Sequence, residues 1–493
     1  MSDAPRARRD DRAVRLSEIL AKPRFVACDD IVVRGCHDEP DRCGPGDVFV
    51  ARTTPGGDGH EHVGRALARG VSGVLAERMV ATDGTPLCLV GDIDRAHARL
   101  CHALAGDPSA ALKLIAVAGT SGKTTTAWLA ASVLAEAGRR VGVLSDLGCL
   151  DADSAAPERA AYEEPAALAA WLGRLAANGC THAVVEVSSR MLARQSLAGV
   201  KAALVAVPNV ASAHLDLHGT TRAYRAITGR ILDAVGAGGC LVTGTPSAAL
   251  DRLRRRAARD CDEAVFLSAG LAADCDLTAV PVERSLFGQT FLLRAGGQSV
   301  PVAVDTPTAA FVADALVAAA IGVRCGASLE LAARGIEAAG AMPGRMERLD
   351  RGQNGAVFLD APPSGHALAA TLAGLRRLTP GRLAVVADER WVRTIGTGAV
   401  RRRFARWCDE CLIVPATMMA VDAADADVAA YARVDRLLTR LGRRDCLLVL
   451  GDPRIGGGGT GGPDDGEQAL AGVIDGWLRL AHPPRARRGR RAA

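Results

Sequence analysis

Lysine and aromatic residues are scarce in this chain of 493 residues. Only 3% of the residues are Phe, Trp or Tyr, and all but four of the 60 basic residues are arginine. The four lysines are Lys22, Lys113, Lys123 and Lys201. Because this sequence uses arginine almost wherever a positive charge is needed, a lysine inside a motif is a stronger indication of chemistry than usual.

The sequence also lacks long apolar runs. None approaches the roughly 20 residues that a membrane-spanning helix needs, and the first twenty residues contain no apolar segment typical of a secretory signal. We therefore expect a cytoplasmic protein without a membrane span, in which the 14 cysteines are reduced thiols. The close pair Cys408 and Cys411 runs into Leu-Ile-Val, which predicts the start of a buried strand rather than a zinc site.

The net charge of +5 is weak evidence for a nucleic-acid partner. Residues 482–493 contain five arginines, so the remainder of the chain is close to neutral. An arginine-rich end of this kind is typically solvated and disordered, and nucleic acid is not a predicted partner. A content of 49% hydrophobic and 23% charged residues is typical of a globular protein and excludes a disordered or collagen-like chain.

Apolar strands that alternate with helical stretches predict an α/β fold with three domains. Residues 1–110 are expected to form a small α/β unit and residues 111–342 a central, doubly wound parallel sheet. Residues 343–481 are expected to form a third, Rossmann-like α/β unit, after a Pro-Gly break at 341–344. The central and third units are predicted to contain strands at 112–118, 183–187, 202–207, 384–386, 411–414 and 446–450.

The strongest chemical signal is the segment Ala118-Gly-Thr-Ser-Gly-Lys-Thr-Thr-Thr126. It follows a buried strand and precedes a helix predicted to be amphipathic, which is the context of a phosphate-binding loop. Gly119 and Gly122 permit a tight turn whose backbone N–H groups converge on an anion. Lys123 is placed to contact the phosphates and the Thr124 hydroxyl to bind Mg²⁺. The segment therefore predicts ATP binding.

A carboxylate and an imidazole follow two further strands of the central unit. Glu186 lies at the end of the strand 183–187, and His214 follows the strand 202–207 after Asn209. The carboxyl ends of parallel strands meet at one edge of an open sheet, where ligands bind. Glu186 and His214 are therefore candidate magnesium ligands beside the phosphate loop.

Several motifs, taken together, resemble the Mur ligases along nearly the whole chain. They are GTSGKTTT (119–126), EVSS (186–189), HLDLHG (214–219), PGRME (343–347) and an amino-terminal GPGDVFVA (44–51). The resemblance implies an amino-terminal domain of the type that holds a uridine nucleotide, a central ATPase domain and a carboxy-terminal ligase domain.

It also implies an ATP- and Mg²⁺-dependent ligase that joins an amino acid to a carboxylate through an acyl phosphate, in the synthesis of a peptidoglycan precursor or a derivative of it. The acceptor would be a UDP-N-acetylmuramoyl-peptide-like molecule, and the protein a monomer. The implied catalytic residues are Lys123, Glu186, His214 and Arg345. The implied nucleotide-binding residues are Gly119, Thr120, Ser121, Gly122, Lys123, Thr124, Thr125, Asn209, Arg345 and Asp360. The implied metal ligands are Thr124, Glu186 and His214.

The chain also departs from the family pattern. Thr228 stands where the family has a lysine that is carbamylated and binds a second Mg²⁺, and Ala213 precedes His214 where the family has Asp. The family's Asp-Asn-Pro-Arg motif, which contacts diaminopimelate, is not visible near Val414. Two hypotheses follow: a working ligase with an altered substrate, or a catalytically impaired relative that binds nucleotide as a partner or regulator.

Overall fold

The computed structural model describes residues 12–54, 56–151, 155–156, 160–211, 218–261, 263–415, 428–451 and 470–481. His214 and the arginine-rich segment 482–493 lie outside these residues, as does the stretch that follows Val414 from residue 416. The described strands form sheets within three successive parts of the chain. The α/β class is confirmed, whereas the predicted boundaries at 110 and 342 stay predictions.

The amino-terminal unit is built on a five-stranded sheet with the order β2-β9-β8-β5-β4. Strands β4, β5, β8 and β9 run parallel, and β2 pairs antiparallel at one edge. Its strands are β1 (Val14–Arg15), β2 (Arg24–Val26), β3 (Val32–Val33), β4 (Gly35–His37), β5 (Asp47–Val50), β6 (Thr53–Thr54), β7 (Gly57–Asp58), β8 (Gly73–Ala76) and β9 (Leu87–Leu89). Its helices are α1 (Leu16–Ile19), α2 (Val63–Ala68) and α3 (Ile93–Leu104).

The central unit contains an eight-stranded sheet with the order β13-β12-β11-β14-β10-β15-β16-β17, in which β12 pairs antiparallel with both β11 and β13. Its strands are β10 (Lys113–Val117), β11 (Val141–Ser145), β12 (Gly148–Asp151), β13 (Ala155–Ala156), β14 (His182–Glu186), β15 (Ala202–Val207), β16 (Val235–Thr243) and β17 (Val265–Ser268). Its helices are α4 (Lys123–Glu136), α5 (Pro165–Ala177), α6 (Ser189–Ala193), α7 (Thr221–Gly229), α8 (Ala248–Asp260), α9 (Ala309–Arg324) and α10 (Leu329–Ala338).

Helices cover both faces of this sheet, as a doubly wound fold requires. Alternate residues of β10 point to opposite sides: Ile115 packs in a core with α4, α9 and α10. Leu114 packs in a second core with α5, α6 and α8. Because both faces are buried, the parallel strands are continuous apolar runs, which explains why the sequence predicted β10, β14 and β15 within one residue at each end.

The prediction of an amphipathic helix after the phosphate loop is wrong. Helix α4 is buried along most of its length, and residues 135 and 136 near its end are exposed. Besides the sheet, α9 and α10 pack on it: a Cβ on Gly335 would lie 2.4 Å from the Val133 Cα. The Ser132 hydroxyl donates to the Gly335 carbonyl at 2.6 Å. The helix is therefore apolar on nearly every side.

An antiparallel sheet that the sequence analysis did not anticipate follows β17. It comprises β18 (Leu277–Ser285), β19 (Gly288–Ala295) and β20 (Gln298–Val304). Its inward side chains, including Phe291 and Leu293, extend the core that contains α9 and α10. The sheet thus belongs to the central unit rather than to a separate domain.

The third unit has a five-stranded sheet with the order β21-β22-β25-β23-β24, parallel except for β21. Its strands are β21 (Glu347–Leu349), β22 (Ala356–Asp360), β23 (Leu383–Asp388), β24 (Glu410–Val414) and β25 (Cys446–Leu450). Its helices are α11 (Gly365–Leu378), α12 (Glu389–Ile395), α13 (Thr397–Trp407), α14 (Val428–Thr439) and α15 (Leu470–Ala481).

Strand β24 corrects the prediction of a buried strand after Cys408. It is an edge strand, and Cys411 is exposed on it. In the part of the chain that the structure describes, no helix is both long and apolar enough to span a bilayer.

Candidate nucleotide-binding site

The phosphate loop lies between β10 and α4, as predicted. Gly119 has a φ of +133°, and a Cβ there would lie 2.7 Å from the Asn209 carbonyl oxygen. Gly122 has a φ of +80°, and a Cβ there would lie 2.1 Å from the Asp314 carboxylate. Both positions combine a left-handed backbone with a close neighbour, so only glycine fits. The turn ends at Lys123, the first residue of α4, whose N-terminus favours anions.

Asn209 holds the loop in shape from the end of β15. Its side-chain oxygen accepts hydrogen bonds from the Ser121 N–H at 3.1 Å and the Ser121 hydroxyl at 3.2 Å. Its side-chain nitrogen donates to the Ser121 carbonyl at 2.8 Å. The backbone N–H of Thr120 donates to the Asn209 carbonyl at 3.1 Å. Asn209 is therefore a support of the loop as well as a lining residue of the cavity beside it.

Thr120 belongs to the same support and does not line the cavity. Its side chain is buried, and its hydroxyl accepts hydrogen bonds from the Ala211 N–H at 2.8 Å and the Tyr224 hydroxyl at 3.1 Å. This contact ties α7 to the phosphate loop. Thr120 thus fixes the loop, and its contact with nucleotide stays a prediction. Gly119 also lies away from the cavity lining.

A cavity of about 450 Å³ lies over the loop and between the central and third units. Eight of the predicted residues line it: Ser121, Gly122, Lys123, Thr124, Thr125, Asn209, Arg345 and Asp360. The apolar part of its wall includes Phe311, Pro362 and Ala370. An opening that combines a basic and hydroxyl-bearing end with an apolar wall suits a nucleotide, whose phosphates are anionic and whose base is flat and weakly polar.

Arg345 connects the third unit to the phosphate loop. Its guanidinium donates to the Gly344 carbonyl at 3.2 Å and to the Ala361 carbonyl at 3.3 Å. These two hydrogen bonds hold the arginine side chain in place. Its Nη2 atom lies 3.5 Å from the Thr124 hydroxyl and 3.7 Å from the Asp146 carboxylate. A single arginine therefore reaches the position where the end of a phosphate chain would lie.

Glu186 sits under the same corner of the site. Its Oε2 atom accepts a hydrogen bond from the Asp146 N–H at 2.9 Å. Its Oε1 atom is buried and has no hydrogen-bond partner among the residues that the structure describes. A buried carboxylate oxygen without a partner destabilises the fold, and a bound cation would remove this cost. The unpartnered oxygen is therefore expected for a metal ligand. Oxygen atoms from Glu186, Thr124 and Asp146 fit the preference of Mg²⁺ for hard ligands.

Two buried acids face the cavity with raised pKa values. Burial raises the pKa of Asp360, and Arg345 opposes this shift. The Asp360 oxygens accept hydrogen bonds from the Met346 N–H at 3.3 Å and the Thr371 hydroxyl at 3.1 Å, so Asp360 also supports the turn that bears Arg345. Burial raises the pKa of Asp314 to about 7, against the opposing charge of Lys123.

Asp146 and Asp314 were not predicted from the sequence. Asp146 follows β11 directly, and the position of an acid after an apolar parallel strand is a signal that could have found it. Asp314 lies inside α9 within an alanine-rich stretch, and the sequence offers no local sign that it meets Gly122. His214, by contrast, was predicted and lies outside the described residues.

Two acids next to α5 form ion pairs with arginines. Glu164 pairs with Arg52 at 2.8 Å and with Arg194, and Glu163 pairs with Arg190 at 3.2 Å. The negative charges of the two glutamates are therefore balanced by arginines.

Thr228 has a structural role of its own. It is buried, and its hydroxyl donates to the Tyr224 carbonyl at 2.9 Å. A threonine cannot form a carbamate, so this chain has no counterpart of the carbamylated lysine at this position.

Comparisons with known proteins agree with this geometry. A family model described as the Mur ligase middle domain matches residues 117–322. A UDP-N-acetylmuramoyl-L-alanyl-D-glutamate–2,6-diaminopimelate ligase (MurE) from Chlorobaculum tepidum is 32% identical over 416 residues, which cover 82% of this chain and 79% of that protein. The ligase of the same name from Corynebacterium glutamicum is 34% identical over 312 residues, 62% of this chain and 59% of that protein.

Solved structures show the same fold at lower identity. A UDP-N-acetylmuramoyl-L-alanyl-D-glutamate–2,6-diaminopimelate ligase structure aligns with a TM-score of 0.67 at 18% identity, over 91% of this chain and 94% of that chain. A MurF ligase from Thermotoga maritima, in complex with ADP, aligns with a TM-score of 0.56 at 17% identity, over 85% of this chain and 93% of that chain. The resemblance inferred from the motifs is thus confirmed. The chain belongs to the Mur ligase family of ATP-dependent amide-bond ligases and is similar to its MurE members.

Proposed function

We propose that this protein uses Mg·ATP to activate a carboxylate of a UDP-N-acetylmuramoyl-peptide-like acceptor and joins it to the amine of an amino acid. The observation that supports this proposal most directly is the shared cavity, where Arg345 of the third unit lies 3.5 Å from the Thr124 hydroxyl of the phosphate loop. A simple nucleotide-binding module would not need a cation from a second domain at that point.

The chemistry needs two steps. A carboxylate is a poor electrophile, so its oxygen first attacks the γ-phosphorus of ATP, and ADP leaves. The amine nitrogen then attacks the acyl carbon through a tetrahedral intermediate, and phosphate leaves with the original carboxylate oxygen. Lys123 and Arg345 would neutralise the charge that moves between the β- and γ-phosphates during the first step.

The loop supplies binding before any chemistry occurs. Its backbone N–H groups and the start of α4 form an anion cradle, and Asn209 keeps that cradle in one conformation. Preorganised donors of this kind need no rearrangement when the phosphate arrives, so they contribute to binding at little entropic cost.

Thr124 and Glu186 would hold Mg²⁺, with Asp146 beside them. The unpartnered Glu186 oxygen supports this assignment. The ion, when bound, draws charge from the γ-phosphate oxygens. His214 is proposed as a further ligand from its motif alone, and the position of Thr228 argues that a second ion, if it binds, does so without a carbamate.

The position of the cavity between two units also bears on hydrolysis. An acyl phosphate reacts with water, so the site must be closed while the amine attacks. The contacts of Arg345 with Thr124 and Asp146 bridge the two units at the reacting end. Arg345 would thus couple closure to the first step.

The test is phosphate release from purified protein with ATP, Mg²⁺, UDP-linked acyl peptides and a pool of amino acids. We expect release that requires both an acceptor and an amine, and loss of release in Lys123→Ala. Release that ignores the amine would indicate a simple ATPase, and nucleotide binding without turnover would indicate the impaired relative. Either result would contradict the proposal.

The same proposal predicts where and how the protein works. ATP and UDP-linked precursors are cytoplasmic metabolites, so we place the protein in the cytoplasm and expect it to act as a monomer. Light scattering during size-exclusion chromatography should give the mass of a single chain, and the mass of a dimer would contradict this expectation.

A further inference from the structure

Three metal-ligating side chains meet in the interior of the amino-terminal unit, away from the nucleotide cavity. Cys36 lies on the edge strand β4, and His97 and Cys101 lie on one face of α3, four residues apart. The Cys36 and Cys101 sulfurs are 3.5 Å apart. One atom from each of the three residues falls within 4.8 Å of the others, and all three residues are buried.

The distance between the two sulfurs is close to the distance found in a metal centre. Two thiolates at about 2.3 Å from a tetrahedral zinc ion lie about 3.8 Å from each other, close to the distance between the two sulfurs here. His97 adds an imidazole whose side chain forms a hydrogen bond with Cys36. Its Nδ1 atom is buried and makes no hydrogen bond within the described ranges. Buried ring nitrogens usually have a partner, so an imidazole with an unpartnered nitrogen beside two thiols suits a metal ligand.

The donor set selects the class of ion. Two sulfurs and one nitrogen favour soft or borderline cations and disfavour Mg²⁺ and Ca²⁺, which take oxygen ligands. We propose that Cys36, His97 and Cys101 form a structural site for a thiophilic d¹⁰ cation, Zn²⁺ or Cu(I), that pins β4 to α3. Cu(I) accepts three ligands, and Zn²⁺ would add one more.

The site would act on the junction between the first two units. Asp38 directly follows β4, and Asp94 lies in the first turn of α3. Arg52 donates to Asp38 at 2.7 Å, to Asp94 at 3.3 Å and to Glu164 of the central unit at 2.8 Å. An ion that fixes β4 against α3 would therefore also fix the positions of Asp38 and Asp94. These two carboxylates orient Arg52 toward Glu164 of the central unit.

Binding must release protons. Each thiol loses its proton when its sulfur bonds to the metal, so uptake of one Zn²⁺ by two thiols releases two protons. Metal affinity should therefore increase with pH.

The experiment measures bound metal in the full-length chain, expressed with added Zn²⁺ in one arm and loaded anaerobically with Cu(I) in the other. We expect a single ion per chain in at least one arm, and its loss in Cys36→Ser and Cys101→Ser. The matched control is Cys88→Ser, which alters a buried thiol of the same unit outside the cluster and should retain the ion. Equal metal content in the Cys36→Ser/Cys101→Ser double variant and the wild type would overturn the proposal, as would a wild type that binds neither ion.

A second measurement separates loss of metal from loss of folding. Titration with Cd²⁺ should produce a thiolate charge-transfer band in the wild type that is absent from both serine variants and weaker in His97→Gln. The circular dichroism of all variants should stay native, because serine is close to cysteine in size. A band of wild-type intensity in folded Cys36→Ser would show that other cysteines bind the ion. Because this readout does not involve ATP, it is independent of the proposed ligase activity.

Discussion

Replacing Asp314 with asparagine tests whether a buried, neutral carboxyl stands behind the phosphate loop. Asp314 is 8% exposed, and burial raises its pKa from 3.8 to about 7. At about 1.4 kcal/mol for each pKa unit, this shift corresponds to about 4 kcal/mol of linkage free energy. Asparagine keeps the shape of the side chain but cannot ionise.

The sign of the effect follows from the direction of the shift. Below pH 4 the carboxyl is protonated in both the folded and the unfolded chain, so the variant and the wild type should respond to pH alike. As pH rises from 4 to 7, the unfolded wild type loses this proton while the folded state keeps it, and the free energy of unfolding falls. Above pH 7 the loss is complete. Asp314→Asn should therefore gain up to about 4 kcal/mol over the wild type between pH 4 and pH 7.

Urea denaturation at pH 4.5, 6 and 7.5 measures this gain, with the exposed Asp305 of the same segment as a matched control. Asp305→Asn should track the wild type at every pH. Calorimetry adds a second readout. In the wild type, the affinity for Mg·ATP should fall as Asp314 ionises near the phosphates, and in the variant it should vary less with pH. The charged groups Lys123, Arg345, Asp146 and Asp360 line the same cavity and are common to both proteins. A variant whose unfolding free energy follows the wild-type pH curve would refute the reasoning.

Four other substitutions test separate parts of the account. Lys123→Ala should abolish detectable heat on titration with Mg·ATP, because the loop loses the positive charge that binds the phosphates. Unchanged binding would show that the loop does not bind ATP. Arg345→Ala should retain ATP binding but lose phosphate release, and a variant with normal turnover would contradict its role. Asn209→Ala should weaken ATP binding about tenfold in calorimetry, since about 1.4 kcal/mol of loop support is lost. Arg52→Ala should lower the free energy of unfolding by about 2 kcal/mol near neutral pH. Burial acts to raise the pKa of Asp38, but Arg52 keeps this pKa below its usual value. The loss of stability should therefore shrink as pH falls through the pKa of Asp38, because the protonated carboxyl no longer pairs with Arg52. A loss that is the same at every pH would contradict the ion pair.

The inner strands of the parallel sheets could be predicted because both faces of these strands are buried. Strands such as β10 and β15 are therefore runs of apolar residues, and their ends are marked by the glycine, serine or asparagine of the loop that follows. The surroundings of α4 could not be predicted, since the helices that cover it lie about two hundred residues later in the chain. The spacing of apolar residues along a helix depends on the helix's own sequence. It does not show how many neighbouring elements pack on that helix.

Only part of the candidate site could be predicted from the sequence. Lys123, Thr124 and the two glycines form a motif whose geometry is local, so their placement in the loop could be predicted from the sequence. Asp314 reaches the loop only through the packing of α9 on α4, which leaves no local pattern. Thr120 looks like a ligand in the sequence, but its hydroxyl is used by Tyr224 and the backbone of Ala211.

The most direct test of the ligase proposal follows an oxygen atom. An acceptor that supports amine-dependent turnover is prepared with ¹⁸O in its carboxylate, and the phosphate released is examined by mass spectrometry. Activation through an acyl phosphate predicts one labelled oxygen in each phosphate, because the carboxylate oxygen leaves with the phosphorus. Phosphate without label, formed by attack of water on ATP, would contradict the mechanism.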